Sequence, residues 1–292
     1  MLDKYLRGES TRLAPEGPVP VVLTGKREPE LCLGGAANVA ASVSALGEEV
    51  SLLGPYGEDR RLDLRRLCRR HGVKLVGEPA SYGSWAGITT VKTRIVDQTG
   101  RMLLRLDREG DDPWDGEAMI KRTLKRIRPD TVVFSDYAKG CWTAKNWATI
   151  LRCTSPAQRR RMVVDAKRNL DRYKGAGLIK CNEGEWDRFG GYATCPRDAQ
   201  VVVTRGAKGM SHGRYGDCDG KMDWQWAQAQ AEPHDVYDVT GAGDVVTAVL
   251  AVGLSRRLPM PKILKAATDA SSKAVTRRMT GIASAGDTSL GG

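Results

Sequence analysis

Two carboxylates flank a run of small residues in the stretch DVTGAGD, residues 238–244, and an apolar run, VVTAVLAVGL, follows it. Gly241 and Gly243 allow the backbone to turn sharply and to approach another group closely. The apolar run predicts a helix, whose first amides lack intrahelical acceptors and whose dipole favours negative charge. The amides of Ala242, Gly243 and Asp244 could therefore hold a phosphate, while Asp244 takes a proton from a substrate hydroxyl. A helix capped by Asp or Thr after a glycine turn is the structural alternative, and spacing alone leaves it open.

A second stretch that could bind a ligand is GGAANVAASVSALG at residues 34–47. Its paired glycines, Gly34 and Gly35, precede a predicted helix rich in Ala and Val. Asn38 falls in the first turn, where its amide can both donate and accept hydrogen bonds to sugar hydroxyls. Tight helix packing with a cap is the alternative interpretation.

The third stretch is CNEGEWD at residues 181–187. Asn182 and Glu185 are three residues apart, so they share one face of a helix. An amide and a carboxylate together can order the waters of Mg²⁺ or a nucleotide phosphate. The alternative is a capping box, in which both residues only begin a helix. The sequence contains no GxxxxGK[ST] phosphate loop, so any use of a nucleotide needs another solution.

Short apolar runs alternate with longer helical patterns along most of the chain. The predicted strands are VSLLG (50–54), TVVFSD (131–136), RMVVDA (161–166), GLIKCN (177–182) and VVVTRG (201–206). The predicted helices between them are ANVAASVSALG, DLRRLCRRHG, GEAMIKRTLKRIR and TAKNWATILRC. This alternation predicts an α/β fold, with a mostly parallel, doubly wound sheet covered by helices on both faces. Ligands bind beyond the carboxyl ends of such strands, so the polar residues at those ends become candidates together.

Two segments, 18–31 and 86–109, have alternating or β-branched patterns without adjoining helices. The second predicts a hairpin that turns near Asp97–Gly100. A small sheet built from such segments could act as a lid over the site or simply extend the fold.

The composition predicts a soluble protein with a sizeable core. The 292 residues are 41% hydrophobic and 28% charged, and no apolar run approaches the roughly 18–20 residues of a membrane helix. The first ten residues lack the apolar centre of a signal peptide, so a cytoplasmic location is expected. Seven scattered cysteines without a CxxC motif argue against a disulfide framework and against a zinc site.

The formal net charge of +11 raises nucleic-acid binding as an alternative function. The basic residues are, however, dispersed over 60–70, 121–128 and 159–161, and the first two runs interleave Arg and Lys with Leu and Ile at helical spacing. Solvated helix faces explain this pattern, and a small anionic substrate would also suit a basic protein. Nucleic acid is therefore not the expected partner.

The early GG…N element and the late DxxGAGD element, in this order and about 200 residues apart, together resemble the ribokinase-like carbohydrate kinases. Within that family the similarity is closest to kinases of D-glycero-β-D-manno-heptose 7-phosphate. It is carried by the opening MLDKYLRGESTRLAPEGPVPVV and by GGAANVA, KTR at 92–94, LLRLDREG, SDYAKG, VTRGAKGMS and VYDVTGAGD.

The resemblance implies one kinase domain over residues 1–292, with lid elements at about 8–24 and 86–107. It also implies transfer of the γ-phosphoryl group of ATP, with Mg²⁺, to the C1 hydroxyl of the heptose in lipopolysaccharide precursor synthesis. Asp244 matches the catalytic base, and Gly241, Ala242 and Gly243 match the anion hole. The remaining matched positions fall on the nucleotide side and on the sugar side. On the nucleotide side they are Asn182, Glu183, Gly184, Glu185 (toward Mg²⁺ through water), Thr204, Arg205 and Gly206. On the sugar side they are Asp3, Gly34, Gly35 and Asn38, with Lys92, Arg94, Arg105, Asp136 and Lys167 as weaker matches that could instead make structural salt bridges.

Relatives usually carry an earlier strand ending in Gly-Asp, so about ten residues of a central strand are expected to be missing ahead of Asp3. Three functions stay open: an active heptose-phosphate kinase, a kinase of another phosphorylated sugar, and a weakly catalytic binding protein that contacts nucleic acid. ATP and a sugar phosphate are the expected small-molecule partners, no membrane is expected, and a homodimer is an assembly that the resemblance allows.

Overall fold

The computed structural model describes residues 1–26, 28–77, 87–110, 112–215, 222–227, 238–277 and 279–290. In this part of the chain the strands are β1 (Leu2–Arg7), β2 (Glu9–Leu13), β3 (Pro20–Leu23), β4 (Glu30–Leu33), β5 (Ser51–Leu53), β6 (Lys74–Val76), β7 (Val91–Val96), β8 (Met102–Arg108), β9 (Val133–Ser135), β10 (Val163–Asp165), β11 (Leu178–Asn182), β12 (Gln200–Thr204), β13 (Met210–Tyr215) and β14 (Met222–Ala227). The α-helices are α1 (Ala36–Ala45), α2 (Arg61–Arg70), α3 (Glu117–Ile127), α4 (Ala144–Cys153), α5 (Pro156–Arg160), α6 (Glu183–Arg188), α7 (Ala242–Ser255) and α8 (Met260–Ala274). Ala86 of the predicted hairpin segment, Val236 and Tyr237 of VYDVTGAGD, and Arg278 lie outside the described residues.

The main sheet has the spatial order β14-β13-β12-β11-β10-β9. Strands β9 to β12 run parallel, and β13 and β14 add antiparallel pairs at one edge. Successive residues of a strand point to opposite faces, so Val163 packs with α7 and α8 while Val164 packs with α4. Leu178 and Ile179 likewise pack on opposite faces of the sheet. The predicted doubly wound sheet with helices on both faces is therefore confirmed.

The Arg-rich segments are amphipathic helices, as predicted. In α2 the buried residues are Leu64, Leu67 and Cys68, which recur at helical spacing, and most of the arginines between them face outward. The basic residues of this helix therefore occupy a solvated face. Among the helices within the described ranges, none combines the length and the apolar character that crossing a membrane requires.

The predicted β-rich segments form two further sheets. The hairpin forms as β7 and β8, with the amide of Asp97 bonded to the carbonyl of Arg101 at its turn. β1 lies beside β7, giving the order β4-β1-β7-β8, while β2 pairs with β3 in a separate ribbon. Whether these sheets close over a ligand as a lid stays a prediction.

A groove separates β5 from β9. Within the described residues β5 pairs only with β6, and β9 pairs only with β10. Residues of β5 and β9, together with α1, α3 and α7, line a cavity of about 800 Å³, and Met1 lies at it too. The expectation of a missing central strand stays a prediction.

Candidate functional site

Helix α7 begins without a side-chain cap. Gly241 occupies the N-cap position with φ 86°, a left-handed conformation that glycine adopts without strain. The carboxylate of Asp238 turns away to accept the amide of Thr240 at 2.8 Å. The alternative of an Asp- or Thr-capped helix is therefore not realised. The amides of Gly243 and Asp244, in the first turn, have no acceptor one turn earlier in the helix, so this helix end can hold an anion.

Asp244 is buried at this helix end and is held by two donors. The hydroxyl of Tyr137 donates to Oδ1 at 2.6 Å, and the amide of Asn38 donates to Oδ2 at 3.0 Å. Burial, with a smaller contribution from the charge of Asp165, raises the pKa of Asp244 to about 6, although both hydrogen bonds oppose the shift. A carboxyl with a pKa near 6 is mostly ionised at neutral pH and can still accept a proton.

Asn38 joins α1 to the carboxylate instead of pointing to open solvent. Its Nδ2 also donates to the carbonyl of Gly281 at 3.1 Å, while its Oδ1 is buried without a hydrogen-bond partner. The predicted Gly34 and Gly35 allow the chain to pass close to other site residues. A Cβ on Gly34 would lie 2.8 Å from the carboxylate of Asp3, and one on Gly35 would lie 3.0 Å from the ring of Tyr137.

Below α7 lies a network of buried charges. Asp165, at the end of β10, accepts from Lys180 of the neighbouring β11 at 3.1 Å and from Thr247 of α7 at 3.3 Å. Lys167 lies 3.8 Å from Asp165 and forms a closer ion pair with Glu185. Burial by itself would lower the pKa of Lys167, but the surrounding carboxylates raise it overall.

The predicted nucleotide-side residues collect at the carboxyl ends of β11 and β12. Asn182 caps α6 by accepting the amide of Glu185 at 2.8 Å, and Glu185 accepts the amide of Asn182 at 2.9 Å, so the capping-box alternative is realised. Glu183 and Arg205 form an ion pair of 3.5 Å that links the two strand ends.

The remaining predicted nucleotide-side residues border this pair. Thr204 lies within 3.5 Å of the carbonyl of Cys181, Gly206 has a φ of 56°, and a Cβ on Gly184 would lie 3.5 Å from the side chain of Asn182. The fold thus brings the predicted nucleotide-side residues together in space. Their part in nucleotide binding stays a prediction.

On the sugar side, Asp3 and Arg94 are joined to each other. Arg94 donates to Oδ1 of Asp3 at 2.8 Å, and Thr280 donates to Oδ2 at 2.8 Å, in a buried cluster. Tyr5 extends the cluster by donating to Asp238 at 3.0 Å. These contacts tie β1 and β7 to the loop that precedes α7.

The weaker sugar-side candidates divide. The ammonium of Lys92 lies 5.7 Å from the ring of Tyr137, whereas Arg105 on the exposed β8 pairs with Asp107 on the same strand. Asp136 is fully buried, and its oxygens accept the hydroxyl of Tyr173 and the amide of Ala138. These contacts correspond to the structural role that the sequence left open for Asp136.

Sequence reasoning missed Tyr137, whereas Asp165 and Lys180 fell within the strand ends VDA and KCN, whose polar residues were candidates together, but were assigned no role. The quoted motifs SDYAKG and GLIKCN contain Tyr137 and Lys180, and all three residues fall at strand ends. Extending the strand-end rule by one residue beyond FSD would have included Tyr137 as well. What one-dimensional patterns could not show is that the hydroxyl of Tyr137 reaches across to α7.

The sequence comparison identifies the family to which a chain with this fold and this site belongs. Residues 22–285 match the model of the pfkB family carbohydrate kinases. The chain belongs to this family.

Two curated proteins show which members of the family this chain is similar to. The chain is 36% identical over 274 residues to a D-beta-D-heptose 7-phosphate kinase of Bordetella bronchiseptica, covering 86% of this chain and 80% of that protein. It is 34% identical over 297 residues to the bifunctional protein HldE of Chromohalobacter salexigens, covering 95% of this chain but only 58% of the relative. The chain thus spans little more than half of that longer protein.

Solved structures show the same fold at low sequence identity. Phosphofructokinase-2 from Escherichia coli in complex with substrates and products superimposes with a TM-score of 0.72 at 17% identity, covering 98% of this chain and 94% of the other. Arabidopsis thaliana ribokinase complexed with ribose and ATP gives 0.65 at 17% identity, with coverages of 98% and 92%. The predicted ribokinase-like fold is confirmed.

Proposed function

We propose that this chain transfers the γ-phosphoryl group of ATP to the C1 hydroxyl of D-glycero-β-D-manno-heptose 7-phosphate, giving the 1,7-bisphosphate used for lipopolysaccharide heptose precursors. The observation that carries the chemistry is the buried carboxylate of Asp244, fixed by two donors at an uncapped helix end. The heptose is supported by the resemblance and by the heptose 7-phosphate kinase of Bordetella bronchiseptica.

Asp244 accepts the proton of the C1 hydroxyl as that oxygen forms its bond to the γ-phosphorus. The bond from the γ-phosphorus to the bridging oxygen breaks at the same time, and ADP leaves with the bonding electrons. Tyr137 and Asn38 each occupy one oxygen of the carboxylate, which still has lone pairs for the substrate proton. Because these donors fix the carboxylate beforehand, little reorganisation accompanies the transfer.

The first-turn amides of α7 face the charge on the transferring group. They are fixed dipoles at a site that excludes much of the water, where such stabilisation is most effective. Gly241 is needed for this arrangement, since a Cβ there would lie 2.8 Å from Asn38 and 2.9 Å from the carbonyl of Gly281.

The nucleotide is proposed to lie along the carboxyl ends of β11 and β12, beside the pair of Glu183 and Arg205. A carboxylate oxygen is the hard ligand that suits Mg²⁺, and a water-mediated contact leaves the ion pair of Glu185 with Lys167 intact. Glu185 therefore fits the predicted role of holding a water of Mg²⁺. When bound, the ion would neutralise charge on the phosphates of ATP.

A substrate panel tests the proposal. The purified chain is assayed for ADP release with heptose 7-phosphate, fructose 6-phosphate and ribose at equal concentrations, and phosphorus NMR locates the new ester. The expected result is turnover of heptose 7-phosphate with a new phosphate on C1. Faster turnover of another sugar, or esterification elsewhere, would contradict the heptose assignment.

The matched control is Asp198→Asn, which removes an exposed carboxylate outside the site. It should leave the order of substrates unchanged. If instead ADP is released without sugar and no ester forms, the chain hydrolyses ATP and the transfer function is wrong.

A further inference from the structure

Lys180 is a buried lysine at the centre of the main sheet. Only 2% of the residue is exposed, although lysine is rarely buried unless its charge is paired. It stands opposite Asp165 in the parallel pairing of β10 with β11. Alternation along the two strands places this pair on the same face as Val163 and Leu178, which is the face that packs against α7 and α8.

The ammonium of Lys180 reaches the phosphoryl-binding end of α7. A Cβ added to Gly243 would lie 3.0 Å from the Lys180 nitrogen. Unlike Gly241, Gly243 has no positive φ, so its backbone conformation does not call for glycine. The space for a side chain at Gly243 is limited by the ammonium group of Lys180, which lies directly under this second residue of α7.

Carboxylates outnumber ammonium groups near the start of α7. Asp165 and Glu185 form ion pairs with Lys167 and Lys180, and the carboxylate of Asp244 interacts electrostatically with both ammonium groups. Lys167 is engaged mainly with Glu185, so Lys180 is the closer cation to Asp165. Without Lys180 the site would offer three acids and one base to an incoming phosphate.

We propose that Lys180 is a positioning residue of the phosphoryl-transfer site, whose ammonium, held on Asp165 beneath Gly243, adds positive charge below the helix-end amides that receive the transferring group. The proposal rests on the proposed kinase function and deepens it. A buried ion pair that only fills the core is the competing explanation, and such pairs often add little stability.

The groups that face Asp244 predict how its titration responds. Tyr137 and Asn38 donate to it, Asp165 opposes its charge, and Lys180 favours it. Lys167, in the loop after β10, also interacts electrostatically with the carboxylate of Asp244. Removing the ammonium of Lys180 should therefore raise the pKa of Asp244 above its present value of about 6.

Lys180→Met is the informative variant, because it keeps the aliphatic stem and removes the charge. We expect kcat to fall about 10- to 100-fold, and the acid limb of the kcat/KM profile to move up by about one pH unit, while KM for the sugar changes little. Lys180→Arg should restore most of both effects. Lys145→Met, which removes an exposed paired lysine, is the matched control and should change neither.

Equilibrium binding of ATP and ADP, measured by calorimetry without sugar, gives a readout that does not need turnover. The preference for ATP over ADP should fall about fivefold in Lys180→Met, because a charge near the γ-phosphate is lost. If that preference and the pH profile stay as in the wild type while the melting temperature falls, Lys180 is only a core ion pair.

Should Lys180→Met fail to fold, the same measurements are made on the double variant Asp165→Asn with Lys180→Gln, compared with Asp165→Asn alone. Loss of the ATP preference on adding Lys180→Gln supports the proposal, and an unchanged preference overturns it. If the wild type turns over no heptose yet Lys180→Met weakens the ATP preference, the heptose assignment fails while the role of Lys180 stands.

Discussion

The proposed transfer site at α7 and the proposed sugar side, in the sheet of β1 and β7, both bury charged residues, but they leave different capacities for a ligand. At α7 the helix end has no side-chain cap, and Oδ1 of Asn38 is buried without a partner. On the proposed sugar side, Arg94 already donates to Asp3, and Thr280 donates a second hydrogen bond to the same carboxylate. One region is therefore prepared for an anion, whereas the other must exchange internal partners before it can hold a sugar.

The strongest test of this contrast is Asp244→Asn. We expect kcat to fall at least about 1,000-fold, because the general base is lost. The pKa of Asp244 is raised in the fold, so its stabilising contribution is present below about pH 4 and is lost as pH rises through about 6. Removing this buried charge at neutral pH should therefore leave the melting temperature equal or higher.

Kinetics and thermal unfolding are measured together, with Asp198→Asn as control. A melting temperature several degrees below the wild type would show that Asp244 supports the fold. Near-normal kcat would show that it is not the base.

A double-mutant cycle of Asp3→Asn and Arg94→Gln tests the sugar side. Each single change should lower the free energy of unfolding by about 3 kcal/mol, because it leaves a buried partner unpaired, and the double change should cost less than the sum. The exposed pair of Arg105 and Asp107 serves as control, with coupling of about 1 kcal/mol or less. Additive effects at Asp3 and Arg94 would mean that the two act separately, as direct sugar ligands would.

Tyr137→Phe sharpens the contrast at the transfer site. The lost hydroxyl should lower kcat/KM about tenfold. The acid limb should also move to higher pH, because the hydrogen bond from Tyr137 lowers the pKa of Asp244. Profiles of rate against pH check both effects, and Tyr215→Phe, which loses a hydroxyl contact to the carbonyl of Tyr192, is the control. An unmoved acid limb would separate Tyr137 from the titration of Asp244.

The smallest effect is expected for Arg205→Gln. Its pair with Glu183 is partly exposed, so the free energy of unfolding should change by less than about 1 kcal/mol. KM for ATP should rise severalfold with kcat nearly unchanged, because only nucleotide binding is weakened. Arg122→Gln, on the exposed face of α3, controls for loss of charge. A fall in kcat with unchanged KM would instead indicate that Arg205 acts on the transferred phosphoryl group and not on nucleotide binding.

The fold was predictable because its signals are periodic and local. The buried strands, the amphipathic helices and the hairpin at Asp97 follow from alternation, helical spacing and turn residues. Asp244 and its glycines were found for the same reason, since they are contiguous at a helix start. Tyr137 was missed because its contact with Asp244 joins segments more than 100 residues apart, and no local pattern encodes such a contact. Lys180 was a strand-end candidate, but its approach to Gly243 of α7 could not be read from a local pattern either.

The groove between β5 and β9 also has a consequence for handling the protein. Among the residues that the structure describes, each of its two flanking strands has no partner strand on the groove side, beside apolar side chains. Exposed edges of this kind template intermolecular pairing. We therefore expect self-association to rise with concentration and temperature, and to involve the groove between β5 and β9 before it involves the Arg-rich helices.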